Sequence, residues 1–186
     1  MYQKEYKILN LYLSNFKARF YLREIARLTK IPLRTVQRLL NKLEDENIIK
    51  SLDEGKNKYY FLNLQNINTK YHLIIAEINK TLEFLSQYPE IKSFLKEKID
   101  SVLIVFGSFA KFKATKTSDL DLLIIGNEPA FYLLPYEIHK IKLTKRQFEK
   151  ALFKNEPLIK EILKNHVVLT DHSYFIEKLW DYYGRT

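Results

Sequence analysis

Residues 104–125 read IVFGSFAKFKATKTSDLDLLII. One apolar run breaks at Gly107-Ser108, and a second, Leu120 to Ile125, carries Asp121 with Asp119 just ahead of it. Residues two apart in an extended strand share a face, so the two aspartates point the same way and Leu120 and Leu122 point the other. Neighbouring carboxylates on an apolar strand repel unless something positive lies between them. A hard divalent cation meets that need. Mg²⁺ is held by one or two carboxylates at about 2.0–2.1 Å and shares its other positions with water and phosphates. The Gly107-Ser108 turn supplies the complement: glycine lets the backbone approach a ligand, N–H groups at a helix start favour an anion such as a triphosphate, and Ser108 adds a hydroxyl. The spacing predicts a buried strand over SVLIVF (101–106), a helix from Phe109 to about Lys113, and a second strand over DLDLLII (119–125).

The run GSFAKFKATKTSDLDLLI (107–124) resembles the signature of the polymerase-beta-like nucleotidyltransferase superfamily, in particular its minimal members. Gly107, Ser108, Ala110, Ser118, Asp119, Asp121 and Leu122 stand at the family's spacing. The resemblance implies transfer of a nucleoside monophosphate from an NTP to an acceptor hydroxyl with release of pyrophosphate. Asp119 and Asp121 would then hold two Mg²⁺ ions, and Gly107, Ser108, Lys111 and Ser118 would contact the nucleotide. Two departures stand out. Arg-Gly commonly follows the alanine in the family, where this chain has Lys111-Phe112. Lys111 keeps the charge but not the bidentate fork of arginine, and the bulk of Phe112 is expected to narrow the nucleotide mouth. The family's third carboxylate comes from a later strand. Here GNEPAFYLLP (126–135) leads into YEIHKIKLT (136–144), read as a hairpin-like return on which Glu137, His139 and Ile141 share a face. Glu137 either completes the carboxylate set, as metal ligand or base with His139 beside it, or is a surface residue.

Beyond this point Thr144 and Gln147 have the spacing of a capping box, EPLIKEILKN (156–165) reads as a helix, HVVLT (166–170) as a strand and DHSYFIEKLWDYY (171–183) as a closing helix. His166 and His172 read as structural, and Trp180 as core.

Upstream, Ile8, Leu9, Tyr12 and Leu13 fall at helical spacing, and a second helix turns Leu22, Ile25, Ala26 and Leu28 inward. Pro32 sets a break before a third helix with Val36, Leu39, Leu40 and Leu43 as its buried stripe. The opposite face carries Arg34, Arg38 and Lys42, with Lys30 ahead and Thr35, Gln37 and Asn41 interspersed, a surface suited to phosphates and base edges. IIKSLDEGKNKYYFLNL (48–64) then turns at Gly55 as a β-hairpin with Lys56 and Lys58 near its tip. This order of elements resembles the winged helix-turn-helix domains of prokaryotic transcriptional regulators, which implies DNA as a partner. A solvated helix face is the other reading of Arg34 and Arg38.

Composition agrees with two folded parts. Of the formal charge of +9, residues 1–65 hold 13 Lys and Arg against 7 Asp and Glu, a net of +6. That concentrates the attraction for a polyanion in the first third. With no cysteine, disulfides and thiolate metal sites are excluded, so a metal sits on oxygen or imidazole. No apolar run spans a bilayer and no signal peptide opens the chain, so a cytoplasmic location without membrane contact is expected. The expected architecture is α/β (α+β). A winged helix-turn-helix domain spans 1–66, a helical connector 67–97, and a minimal nucleotidyltransferase fold 98–186 with a small mixed sheet flanked by helices. The connector, with Leu73, Ile74, Ile78, Leu82 and Leu85 at helical spacing, packs on a domain or on a second copy in a homodimer. The functional expectation is a Mg-dependent nucleotidyltransferase coupled to DNA binding. The rivals are a DNA-binding regulator with a nucleotide-sensing or degenerate transferase-like domain, and an antitoxin-type transferase whose acceptor is a protein side chain.

Overall fold

The computed structural model describes residues 4–96, 99–115, 117–130 and 134–185. It divides into two compact units, one of Met1–Ala76 with Tyr183–Thr186 and one of Glu77–Tyr182. Both mix helices with a small sheet, and no helix among the described residues is long and apolar enough to cross a membrane.

The first unit opens with α1 (Lys4–Leu9), which tightens into a 3₁₀ turn at Asn10–Tyr12. A two-residue strand β1 (Phe20–Tyr21) leads directly into α2 (Leu22–Thr29). Lys30, at φ 57, ends α2, and Pro32 caps α3 (Leu33–Asp45) where its missing N–H costs nothing. Strands β2 (Ile49–Glu54) and β3 (Asn57–Leu62) form an antiparallel hairpin through a tight turn whose Gly55 has φ +61. The sheet order is β1-β3-β2. Val36, Leu39, Leu40 and Leu43 are buried as the periodicity predicts, together with Ile8, Leu9, Tyr12, Leu13 and Ile25. Leu28 departs from expectation at 43 % exposed, because α2 ends one residue later and its last turn faces outward. The Tyr12 hydroxyl, fully buried, donates to the Tyr60 carbonyl at 3.0 Å.

Helix α4 (Ile67–Gln87) runs without interruption across the boundary between the units, which falls between Ala76 and Glu77. Of the residues expected to pack inward, Leu73 is buried, whereas Ile78 and Leu82 are exposed.

In the second unit α5 (Glu90–Phe94) precedes β4 (Val102–Val105), α6 (Gly107–Ala110), β5 (Leu120–Ile125) and β6 (Ile138–Leu143). Then follow α7 (Lys145–Phe153), α8 (Pro157–Lys164), β7 (Val167–Val168) and α9 (His172–Arg185). The mixed sheet has the order β6-β5-β4-β7. Every residue of β4 is buried, which requires cover on both faces of the sheet. Leu103, Val105, Leu120, Leu122 and Ile124 share one core with Phe84, Tyr88, Ile91 and Phe109. Alternation leaves Leu123 and Ile125, also buried, on the face that carries Asp121.

Two expectations for this region are corrected. The helix after Gly107-Ser108 is a single turn that stops at Ala110. The return from β5 is not hairpin-like: β6 pairs with β5 in parallel, Leu120 with Ile138 through Ile125 with Leu143. Twelve residues separate the end of β5 from the start of β6, the length a parallel pair demands and too great for a tight hairpin turn. After β6, Thr144 and Gln147 form the expected capping box, and α7 begins at once.

Candidate active site

Asp121 is the second residue of β5, next to the edge strand β6 on one side and the end of β4 on the other. Its carbonyl accepts from the Phe106 N–H at 3.0 Å, which fixes the backbone where β4 gives way to α6. Gly107 lies against its carboxylate. A Cβ at position 107 would stand 2.0 Å from Asp121 Oδ2 and 2.9 Å from its Cγ, and Gly107 has φ +68. Glycine is thus required twice, by backbone conformation and by space. The close approach that glycine permits at this turn is, in the structure, to a carboxylate of the same chain.

The parallel register sets Asp121 directly beside His139. Asp121 Oδ1 and His139 Nδ1 are 3.1 Å apart, with the aspartate 26 % and the histidine 70 % exposed. One step earlier the Leu120 N–H donates to the Glu137 carbonyl at 2.8 Å, so Glu137 lies beside Asp119, just before the two strands. Asp119 and Glu137 are both exposed. Paired residues of a parallel sheet share a face, so Asp121 and His139 lie on one surface, and with Asp119 and Glu137 just ahead of them they make two short rows. The rows do not close into a cage: among the described residues no three His, Asp or Glu side chains are grouped to hold a metal ion.

Ser118 staples the loop that delivers Asp119. Its hydroxyl accepts from the Thr115 N–H at 2.9 Å and contacts Thr115 Oγ1 at 3.1 Å, and its own N–H donates to the Thr115 carbonyl at 3.1 Å. Ser108 accepts from the Lys113 N–H at 3.0 Å. Lys111 is exposed just after α6. Its charge reaches α8, where Glu161 is held below the usual carboxylate range by Lys164 first and Lys111 last. Phe112 does not crowd the surface as its bulk suggests. It sits at φ 56, where glycine is the usual choice, and packs half-buried on the core with its ring 6.1 Å from that of Phe84.

In the first unit Lys30, Arg34, Arg38 and Asn41 are exposed on α3 and its approach, with Thr35 half-buried. Four of the expected nucleic-acid contacts already have protein partners. Lys42 donates to Glu5 at 2.8 Å and lies 3.7 Å from Glu46, which raises its pKa, the Glu5 bond first. Lys58 lies 3.3 Å from Glu44 and over the Tyr60 ring. Gln37 donates to Asn41 at 2.8 Å. A groove of about 720 Å³ is lined by Tyr21, Arg23, Gln37, Lys56, Lys58 and Tyr60 among others. Arg23 and Tyr21 were not evident from sequence, because only the pairing of β1 with β3 brings them beside the hairpin tip.

The second unit also buries a polar cluster. His166 is fully buried, with Nε2 2.7 Å from Glu77 Oε1 and Nδ1 2.9 Å from the Leu163 carbonyl. Burial alone would push the Glu77 carboxyl up, but His166 and then Lys80 outweigh it and hold it below the usual range. His172, on Thr81 at 2.9 Å, is pushed down by burial. Both histidines are thus tied into the packing, as expected from the sequence.

The family described as Nucleotidyltransferase domain matches residues 88–183. A protein of Methanocaldococcus jannaschii with the provisional name protein adenylyltransferase is 34 % identical over 87 residues, covering 42 % of this chain and 67 % of its own length. No solved structure matches the chain significantly.

Proposed function

This chain belongs to the nucleotidyltransferase domain family, and on that premise we propose that its second unit transfers the adenylyl group of ATP to a hydroxyl of a protein. The acceptor oxygen bonds to the α-phosphorus, the bond to the β-phosphate bridge breaks, and pyrophosphate leaves with that electron pair while the hydroxyl proton passes to a base. The observation that carries the reading is the seating of the Asp121 carboxylate against Gly107, where a Cβ would stand 2.0 Å from Oδ2, with His139 paired beside Asp121 and Asp119 just ahead of the strand. The choice of ATP and of a protein acceptor rests on the name of the Methanocaldococcus jannaschii relative.

Two carboxylates in a row, without a closed cage, suit a dication that shares its coordination with substrate phosphates. Asp119 and Asp121 would hold it. When bound, Mg²⁺ supplies charge neutralisation on the phosphates and activation of the acceptor oxygen. The N–H groups of the Gly107-Ser108 turn would meet the phosphates, and Lys111 would draw the triphosphate toward the turn by charge. Ser118 fixes the loop that aims Asp119, and Glu137 takes the acceptor proton.

The first unit is proposed to be a winged helix-turn-helix that docks α3 on DNA. Arg34 and Arg38 would contact phosphates, with Lys30 and Lys56 flanking and Thr35, Gln37 and Asn41 near the bases. A second reading is favoured by the absence of a three-carboxylate group among the described residues: a DNA-binding regulator whose second unit senses a nucleotide without transferring it.

The test is to incubate the protein with each α-labelled NTP, a divalent cation and cell extract. ATP-dependent labelling of a protein band, lost in Asp119→Asn and Asp121→Asn, supports transfer. Nucleotide binding without labelling of any acceptor would leave the sensing reading in its place.

A further inference from the structure

We infer that His139 is a metal ligand of the nucleotidyl-transfer site and that it biases the site toward a first-row transition dication over Mg²⁺. This rests on the reading that Asp121 holds the metal. The parallel register places His139 directly beside Asp121 on the same face, while Glu137 is set one step back, beside Asp119. The imidazole, not the glutamate, is therefore the donor nearest the second aspartate.

The separation in the structure suits the role. Two ligands at right angles on an ion with bonds of about 2.1–2.2 Å lie roughly 3.0–3.1 Å apart, and Asp121 Oδ1 and His139 Nδ1 are 3.1 Å apart. In the metal-free site that gap is bridged by the Nδ1 proton. On binding, the ion takes the place of that proton and the neutral imidazole carries its one N–H on Nε2 instead, so neither side chain has to travel.

The two ligands also differ in how they are held. Asp121 is fixed by its strand and by the abutting Gly107, whereas His139 is 70 % exposed and open to an incoming ion. An ion gripped by one carboxylate and one imidazole needs outside oxygens to complete its shell. The triphosphate supplies them, which links metal uptake to nucleotide uptake.

Mg²⁺ takes oxygen ligands and gains little from imidazole, whereas affinity for nitrogen donors climbs from Mn²⁺ through Co²⁺. The preference is a ratio, so it is read as one: binding of Co²⁺ and of Mg²⁺ in the presence of an ATP analogue with a methylene between the α- and β-phosphorus. Calorimetry and the melting temperature give affinity, and the visible d–d absorption of Co²⁺ reports on its ligands. His139→Ala should lower Co²⁺ affinity by about tenfold or more, shift the Co²⁺ bands and leave Mg²⁺ affinity within about twofold. His139→Gln separates the two possible roles, since its amide can still donate to Asp121 but replaces the imidazole donor. It should behave as the alanine variant does. Co²⁺ spectra and affinity in His139→Gln equal to wild type would show that His139 is only a hydrogen-bond partner and overturn the inference. If Mg²⁺ and Co²⁺ bind equally well with the analogue, and Asp121→Asn abolishes both, the inference falls while the transferase reading stands. Indifference of the wild-type protein to every cation and nucleotide overturns both together.

Discussion

Replacing Gly107 by alanine tests the geometry on which the site reading depends. Two penalties are separable. An L-residue held at φ +68 costs about 1–2 kcal/mol. The added Cβ, 2.0 Å from Asp121 Oδ2, also forces the carboxylate to rotate away from His139. For a pair this exposed, loss of that contact adds about 1 kcal/mol. The expected total is roughly 2–3 kcal/mol, or a fall in melting temperature of about 10 °C for a unit of this size. Gly55 provides the internal control. It has nearly the same φ, +61, but a Cβ there meets nothing within 4 Å, so Gly55→Ala should show the conformational penalty alone. The decisive assay is a double-mutant cycle of Gly107→Ala with Asp121→Ala by urea unfolding. Removing the carboxylate leaves only an Asp121 Cβ contact at 3.3 Å, which a small shift relieves. A coupling energy near 1 kcal/mol in the rescuing direction is expected. Additivity within about 0.4 kcal/mol, together with equal costs at positions 55 and 107, would refute the claim that this glycine is fitted to Asp121.

Phe112→Gly should destabilise less than Phe112→Ala by about 1 kcal/mol, since both lose the packing on Phe84 but only glycine relieves φ 56; the reverse order in thermal unfolding would mean the backbone there is unstrained. His166→Ala strands the buried Glu77 carboxylate and should cost about 3–5 kcal/mol by denaturant titration, against a small effect if the pair contributes nothing. Stability should also fall with acid. His172, pushed below its ordinary 6.5 by burial, resists the proton that the unfolded chain accepts as pH drops through that value. Glu77, held below its ordinary 4.5, gives stability that is present above that value and lost as pH falls through its lowered folded pKa. A flat profile from pH 7 to 4 in urea midpoints would contradict this. For the first unit, Arg34→Ala with Arg38→Ala should flatten the log–log salt dependence of duplex binding by up to about 1.8. Lys42→Ala, already engaged by Glu5, should leave that slope unchanged while lowering the melting temperature.

What the sequence disclosed and what it concealed divide along the range of the interactions. The two apolar runs around the Gly-Ser turn, the aspartate spacing, the stripe of α3 and the Thr144–Gln147 cap are local patterns, and each recurs in the structure. The direction of β6 was not legible, because the period of two in residues 136–143 is the same whether the strand runs parallel or antiparallel. The nearness of His139 to Asp121 follows only from that register. The inward and outward faces of α4 were equally hidden, since its apolar residues lie all round the helix and periodicity alone could not choose. The engagement of Lys42 with Glu5 spans 37 positions of sequence, beyond the reach of any helical spacing rule.

The order β6-β5-β4-β7 gives the two rows of the candidate site unequal compliance. Asp121 belongs to a strand hydrogen-bonded on both sides and flanked by buried Leu120 and Leu122, so displacing it means opening the sheet at its centre. His139 belongs to an outer strand, with Glu137 just ahead of it, joined to the sheet along one edge, where opening takes less free energy and amide hydrogens exchange sooner. The site therefore has an anvil and a jaw. In the transfer proposed above, a substrate that needs room, or a pyrophosphate that must leave, would find it by easing the β6 side outward while Asp121 keeps its place.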